Sequence, residues 1–184
     1  DVNTAFVAGE LDFGALGSSP VARGLSAPLN IPYQVAFILD VAGDNEALVA
    51  RDGTGIDSIP QLRGKRVATP FASTAHYSLL AALNLNNLSP NDVQLIDLQP
   101  QAILAAWERG DIDAAYTWLP TLDEIRKTGK DLITSRQLAA AGKPTLDLGV
   151  VSAKFAEQHP EVVDIWRQQQ ARALNVIHND PTAA

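Results

Sequence analysis

Short apolar runs suited to strands alternate with helical segments along almost the whole chain, and this alternation restricts the fold more than any other feature. Leu11 to Leu16, Tyr33 to Asp40, Glu46 to Arg51, Lys65 to Pro70, Asn91 to Leu98, Ile112 to Pro120, Asp131 to Ser135 and Thr145 to Lys154 read as strands. Between them lie helical patterns at Ser19 to Ala27, Ser58 to Gly64, Ser73 to Asn84, Gln99 to Asp111 and Thr121 to Gly129, followed by a long amphipathic one at Pro160 to Asp180. Ser19 suits the N-cap of its helix and Pro20 the first helical position. Strands separated by helices of roughly 10–15 residues form βαβ units. The expectation is therefore α/β structure, a parallel sheet with helices on both faces. Tyr33 to Asp40 is expected to be a strongly buried strand.

At 184 residues the chain has room for one domain or two small lobes. Gly43-Asp44-Asn45 and the stretch from Ala139 to Thr145 are the two boundary signals, and each flanks a strand. If both strands link the same lobes, they form a two-strand hinge. Ala5, Val7 and Ala8 read as the end of a helix stopped by Gly9. That start implies an N-terminal segment, and any signal peptide, ahead of Asp1.

Several functions are disfavoured by composition. No run of about 18 apolar residues is present, so no membrane-spanning helix is expected. The net charge of −7 and the lack of a basic patch argue against nucleic acid as a partner. Cysteine is absent, which removes disulfides, thiol nucleophiles and Cys-type zinc sites. No G-x-S-x-G elbow, phosphate-binding P-loop or dinucleotide fingerprint occurs. No His/Glu cluster has metal-ligand spacing, and no cofactor is expected.

Two stretches have the form of an anion seat. Gly17-Ser18-Ser19-Pro20 and Ser73-Thr74-Ala75-His76 each follow a strand and open a helix. A helix N-terminus presents unpaired N–H groups and about half a positive charge, so it can hold a phosphate, sulfate or sulfonate without Lys or Arg. The ordinary alternative is capping, worth about 1 kcal/mol per Ser or Thr.

Three further side chains stand out. Asp147 lies in the apolar strand pattern Thr145 to Val151, where a carboxylate is costly unless paired with a ligand cation or with a neighbour such as Lys143. Glu46 opens its strand and raises the same choice. Trp118 ends a strand just before Pro120, a place suited to core edge or ligand wall. His76 suits a donor or a polar cap, and Trp107 and Trp166 suit core. Asp111 and Asp113 read as turn residues, and His159 and His178 as solvated helix ends.

The segments LGSSPVA, GDNEALVA, LRGKRVATPFASTAHYSLLAAL, LQPQAILAAWERGDIDAAYTWLP and PTLDLGVVSAKFAEQHPEVV carry a resemblance. Together, and in this order, they closely resemble the taurine-binding periplasmic proteins of bacterial ABC importers, within the wider sulfonate/nitrate-type substrate-binding family. The resemblance implies a type II periplasmic-binding-protein fold of two doubly wound lobes that close on the ligand. It also implies a fragment lacking the N-terminal strand and helix and the C-terminal helices. Residues 1–44 would belong to lobe 1, 45–146 to lobe 2 with hinge strands at its ends, and 147–184 would return to lobe 1.

On this resemblance the ligand is taurine or another small sulfonate, and the partners are a membrane permease and an ATPase. The protein would be a periplasmic monomer without catalytic activity. Ser18, Ser19, Ser73 and Thr74 would hold the sulfonate, Asp147 would face the ammonium, and Trp118 would wall the two-carbon spacer, with Gly17, Glu46 and His76 also counted among the ligand-binding residues. A ligand-sensing effector domain of a LysR-type regulator shares this fold and is the alternative. An enzyme of the pyrimidine-synthase group is a third, for which no His or Cys set is present.

Overall fold

A computed structural model describes residues 2–180. The chain divides into two compact units. One takes the chain up to Asp40 and again from Leu146, and the other takes Val41–Thr145.

The first unit holds three strands, β1 (Phe13–Gly17), β2 (Tyr33–Val41, whose last residue passes into the second unit) and β8 (Leu146–Ser152). They pair in the order β1-β8-β2. β1 and β8 are antiparallel, from Phe13 opposite Val151 to Gly17 opposite Asp147. Four helices accompany them: α1 (Val2–Ala8), α2 (Ser18–Leu25), α7 (Ala153–Gln158) and α8 (Pro160–Asn179). Phe6, Leu16, Val21, Ile31, Tyr33, Leu148 and Val150 form the core.

A polar clasp ties α1, α2 and β2 together inside this core. Asn3 Nδ2 donates to the Pro20 carbonyl at 2.9 Å, and the buried Tyr33 hydroxyl lies 3.1 Å from both Asn3 Oδ1 and the Val21 carbonyl. α8 presents Trp166, which meets Phe13 and Phe37 edge-on at 4.8 and 4.5 Å between ring centroids.

The second unit is built on a five-stranded sheet in the order β5-β4-β6-β3-β7. Its strands are β3 (Glu46–Arg51), β4 (Arg66–Thr69), β5 (Gln94–Asp97), β6 (Ala114–Trp118) and β7 (Gly129–Thr134). β4 is parallel to β5 and β6, whereas β3 is antiparallel to both β6 and β7. Four strands therefore run one way and β3 alone runs back. One face packs Leu48, Val67, Leu79, Leu83, Tyr116 and Leu138; the other packs Ala47, Val49, Ala68, Ile103, Trp107, Leu122 and Ile125. Burial on both faces explains why Glu46 to Arg51 reads as a continuous apolar run rather than an alternating one.

The helices of this unit are α3 (Thr74–Leu85), α4 (Pro100–Arg109), α5 (Thr121–Arg126) and α6 (Ser135–Ala140). α4 starts on Pro100 and ends at Gly110, whose φ of 75° is the left-handed C-cap that glycine tolerates.

Four expectations from sequence need correction. The sheet is mixed, because β3 is reversed. β2 is a strand, but most of its side chains beyond Tyr33 are exposed or half-buried, since it lies at the edge of its sheet. Helix α2 starts at Ser18 with Gly17 as N-cap, so Ser19 is inside the helix and Pro20 is its third residue. Trp166 is half-buried rather than core.

Candidate functional site

In the second unit the distinctive side chains gather at the carboxyl ends of β4, β5 and β6, the edge of an α/β sheet where ligands bind. Helix α3 begins there. The Ser73 hydroxyl caps it by accepting from the His76 N–H at 3.1 Å, and its own proton goes to the Pro70 carbonyl at 2.6 Å. Ser73 thus serves as a cap, and its hydroxyl has no proton left for a ligand. What the helix start offers is its first-turn backbone N–H groups, which lack intrahelical partners.

The loop ahead of α3 is held firmly. Ala72 sits at φ 62° and donates its N–H to His76 Nδ1 at 3.2 Å, and Phe71 donates its N–H to Asp97 Oδ1 at 2.9 Å. The rings of Phe71 and His76 stack at 4.5 Å. Burial lowers the imidazole pKa, opposed by the charge of Asp97. A neutral ring whose Nδ1 accepts carries its proton on Nε2, so His76 presents an N–H donor.

Because β3 runs backwards, its first residue, Glu46, reaches this same sheet edge, directly opposite Trp118 at the end of β6. Trp118 is half-buried and packs on the cluster that contains Tyr116 and Leu138. Glu46 is 3% exposed. Its Oε2 accepts the Ser135 hydroxyl at 3.0 Å, and the Thr145 hydroxyl lies 3.5 Å from the same oxygen. Ser135 is in turn 2.9 Å from the Tyr116 hydroxyl. Burial pushes the Tyr116 phenol up, so it stays protonated. Thr69, at the end of β4, is fully buried with a hydroxyl that has no protein partner among the described residues.

In the first unit, Gly17, Ser18 and Ser19 form the start of α2, and Gly17 pairs directly with Asp147 across the sheet. The Leu146 N–H donates to Ser18 Oγ at 3.2 Å, which pins the helix start to β8 and leaves the Ser18 proton for another acceptor. Asp147 is half-buried. The Ala42 N–H bonds the Thr145 carbonyl at 3.0 Å, a contact that sets Asp40 of β2 level with Asp147 of β8. The pKa of Asp147 is raised, first by burial and then by the charge of Asp40 and a hydrogen bond with it. Lys143 makes no ion pair with Asp147, so the neighbour that matters is a second carboxylate.

Each unit thus brings its own set together: Gly17, Ser18, Ser19 and Asp147 in one, and Glu46, Ser73, Thr74, His76 and Trp118 in the other. Sequence reading missed Asp40, Tyr116, Ser135 and Thr145. Asp40 is visible as an acid ending a strand, but the chain holds no sign that it faces Asp147. Asp113, read as a turn residue, binds Arg66 through both carboxylate oxygens away from this edge. Among the described residues no group of three or more His, Asp or Glu could hold a metal ion.

The family model described as NMT1/THI5 like matches residues 1–184. The taurine-binding periplasmic protein of Escherichia coli is 47% identical over 159 residues, which is 86% of this chain and 48% of that protein. A putative aliphatic sulfonates-binding protein of Bacillus subtilis is 34% identical over 157 residues, or 85% of this chain and 46% of the relative. The chain therefore spans about half the length of these curated relatives. Among solved structures, the alkanesulfonate-binding protein SsuA of Xanthomonas axonopodis, bound to MOPS, superposes with a TM-score of 0.85 at 21% identity, covering 99% of this chain and 62% of that one. The chain belongs to the NMT1/THI5-like family, and its fold is that of the periplasmic sulfonate-binding proteins.

Proposed function

We propose that this protein is a non-catalytic periplasmic solute-binding protein that captures taurine or a closely related small sulfonate for the permease and ATPase of an ABC importer. The observation that carries the reading is a pairing found in both units. A helix start with no Lys or Arg in its first turn stands at the same sheet edge as a carboxylate. That combination suits a zwitterion with a monoanionic head and an ammonium at its other end. The relatives' names point to the same ligand class.

A sulfonate carries one negative charge over three acceptor oxygens. Backbone N–H groups of α3, with the Nε2–H of His76, satisfy it without desolvating a second full charge. The first turn of α2 and the Ser18 hydroxyl offer the same chemistry in the other unit. β4 and β3 are two strand spacings apart, about 10 Å. An anion against the start of α3 and an ammonium against Glu46 fit that span, with Trp118 beside the methylenes.

Thermal melts with a ligand panel test the proposal, because a ligand that binds only the native state raises the melting temperature with concentration. Taurine and ethanesulfonate should both raise it, taurine at lower concentration, and inorganic phosphate should not. A shift with phosphate alone would overturn the reading.

A further inference from the structure

We propose that Ser135 and Tyr116 are positioning residues for ligand selectivity, a buried hydroxyl relay that orients the Glu46 carboxylate toward an ammonium group. The proposal rests on the reading of Glu46 as the ammonium partner. It adds two side chains from β6 and α6 that do not themselves touch the ligand.

The direction of the relay follows from proton counting. Ser135 donates its single hydroxyl proton to Glu46 Oε2 at 3.0 Å. The Ser135 oxygen can then only accept from Tyr116, 2.9 Å away. Tyr116 is fully buried and Ser135 is 1% exposed, so water does not compete for either. The donors point one way, Tyr116 to Ser135 to Glu46. A carboxylate accepts such donors, and hydrogen bonds to the charged form favour that form. Thr145 adds a longer contact to the same oxygen.

With the hydroxyls on Oε2, rotation of the carboxyl group is restrained, and the direction in which Glu46 presents its charge is set before any ligand arrives. Preorganised charge loses less on binding than charge that must be turned and held. The benefit falls on ligands with a cation and not on those with only a sulfonate. This makes the relay a selectivity device rather than a general affinity device.

The test is calorimetry of taurine and ethanesulfonate binding to the parent, Glu46→Gln, Ser135→Ala and Tyr116→Phe proteins. Ser135→Ala, which frees the carboxylate to turn, should weaken taurine binding several-fold, with roughly 100-fold, one hydrogen bond to a charged group, as the ceiling. Ethanesulfonate, which brings no cation to Glu46, should hold within about twofold, the low end of a neutral hydrogen bond. Tyr116→Phe, which keeps the ring and its packing, should show a smaller loss of the same kind. Equal losses for both ligands, or no loss of taurine in either variant, would overturn the relay. Glu46→Gln separates the two claims. If it leaves the preference for taurine intact, the reading of Glu46 fails and the relay with it. If it abolishes the preference while Ser135→Ala and Tyr116→Phe do not, only the relay fails.

Discussion

At Ser73 one hydroxyl makes two bonds, accepting from His76 and donating to Pro70, so its part in the site is to hold the helix start in place. Removing the hydroxyl in Ser73→Ala should cost about 1 kcal/mol of stability in denaturant melts. Ser73→Asp is the sharper variant. Aspartate caps as well as serine and complements the helix dipole, which offsets the lost bond to Pro70, so stability should fall no further than in Ser73→Ala. A fixed negative charge at the anion seat should nevertheless abolish sulfonate binding; undiminished binding by that variant would remove the start of α3 from the site. Asp147 gives a second prediction. Its folded pKa is raised, so its contribution to stability is present below the ordinary carboxylate range and is lost as pH rises through the raised value. At neutral pH the ligand-free protein bears the repulsion of Asp40. Asp40→Asn should therefore melt at higher temperature than the parent at pH 7, and the difference should shrink as the pH falls and Asp147 takes up its proton. A lower melting temperature at pH 7 would contradict the pairing.

Helix α2 shows how tightly an element must pack to place a few backbone groups. Gly24 lies under the Tyr33 hydroxyl, and a Cβ there would fall inside van der Waals contact of that oxygen and 2.9 Å from Asn3 Oδ1. Gly24→Ala should cost roughly 1–3 kcal/mol by overpacking, and a chemical denaturation curve within about 0.5 kcal/mol of the parent would refute the close fit. Elements of this kind were partly legible in the sequence. The start of α3 was readable because Ser73 has local cap chemistry, and the end of α4 because Gly110 follows the last apolar turn. α6 is not legible: Asp131 to Ser135 reads as a strand, and the capping box of Thr134 and Gln137 straddles its end. The strand pattern Thr145 to Lys154 runs over the first two residues of α7, although Ser152 caps that helix. Reversal of β3 carries no local signature, because a strand buried on both faces has the same pattern in either direction. The contact between Glu46 and Ser135 joins residues 89 apart, and only the fold brings them together.

Considered as a whole, the molecule carries a net charge of −7, yet both candidate anion seats are helix starts without a basic side chain in their first turn. Such seats suit a monoanion and disfavour a dianion, whose second charge would be buried without a cation. On the proposed reading, selection for an ammonium rests on Glu46 and Asp147, and the part of Asp147 can be tested apart from that of Glu46. The most direct measurement is calorimetric titration of the parent and Asp147→Asn with taurine and with ethanesulfonate. By analogy with a broken buried ion pair, about 3–5 kcal/mol, the variant should lose taurine affinity at least about a hundredfold. Ethanesulfonate, which has no ammonium, should bind as well as before or better. Equal losses for the two ligands would contradict the account, since Asp147 would then serve the fold and not the recognition of an aminosulfonate.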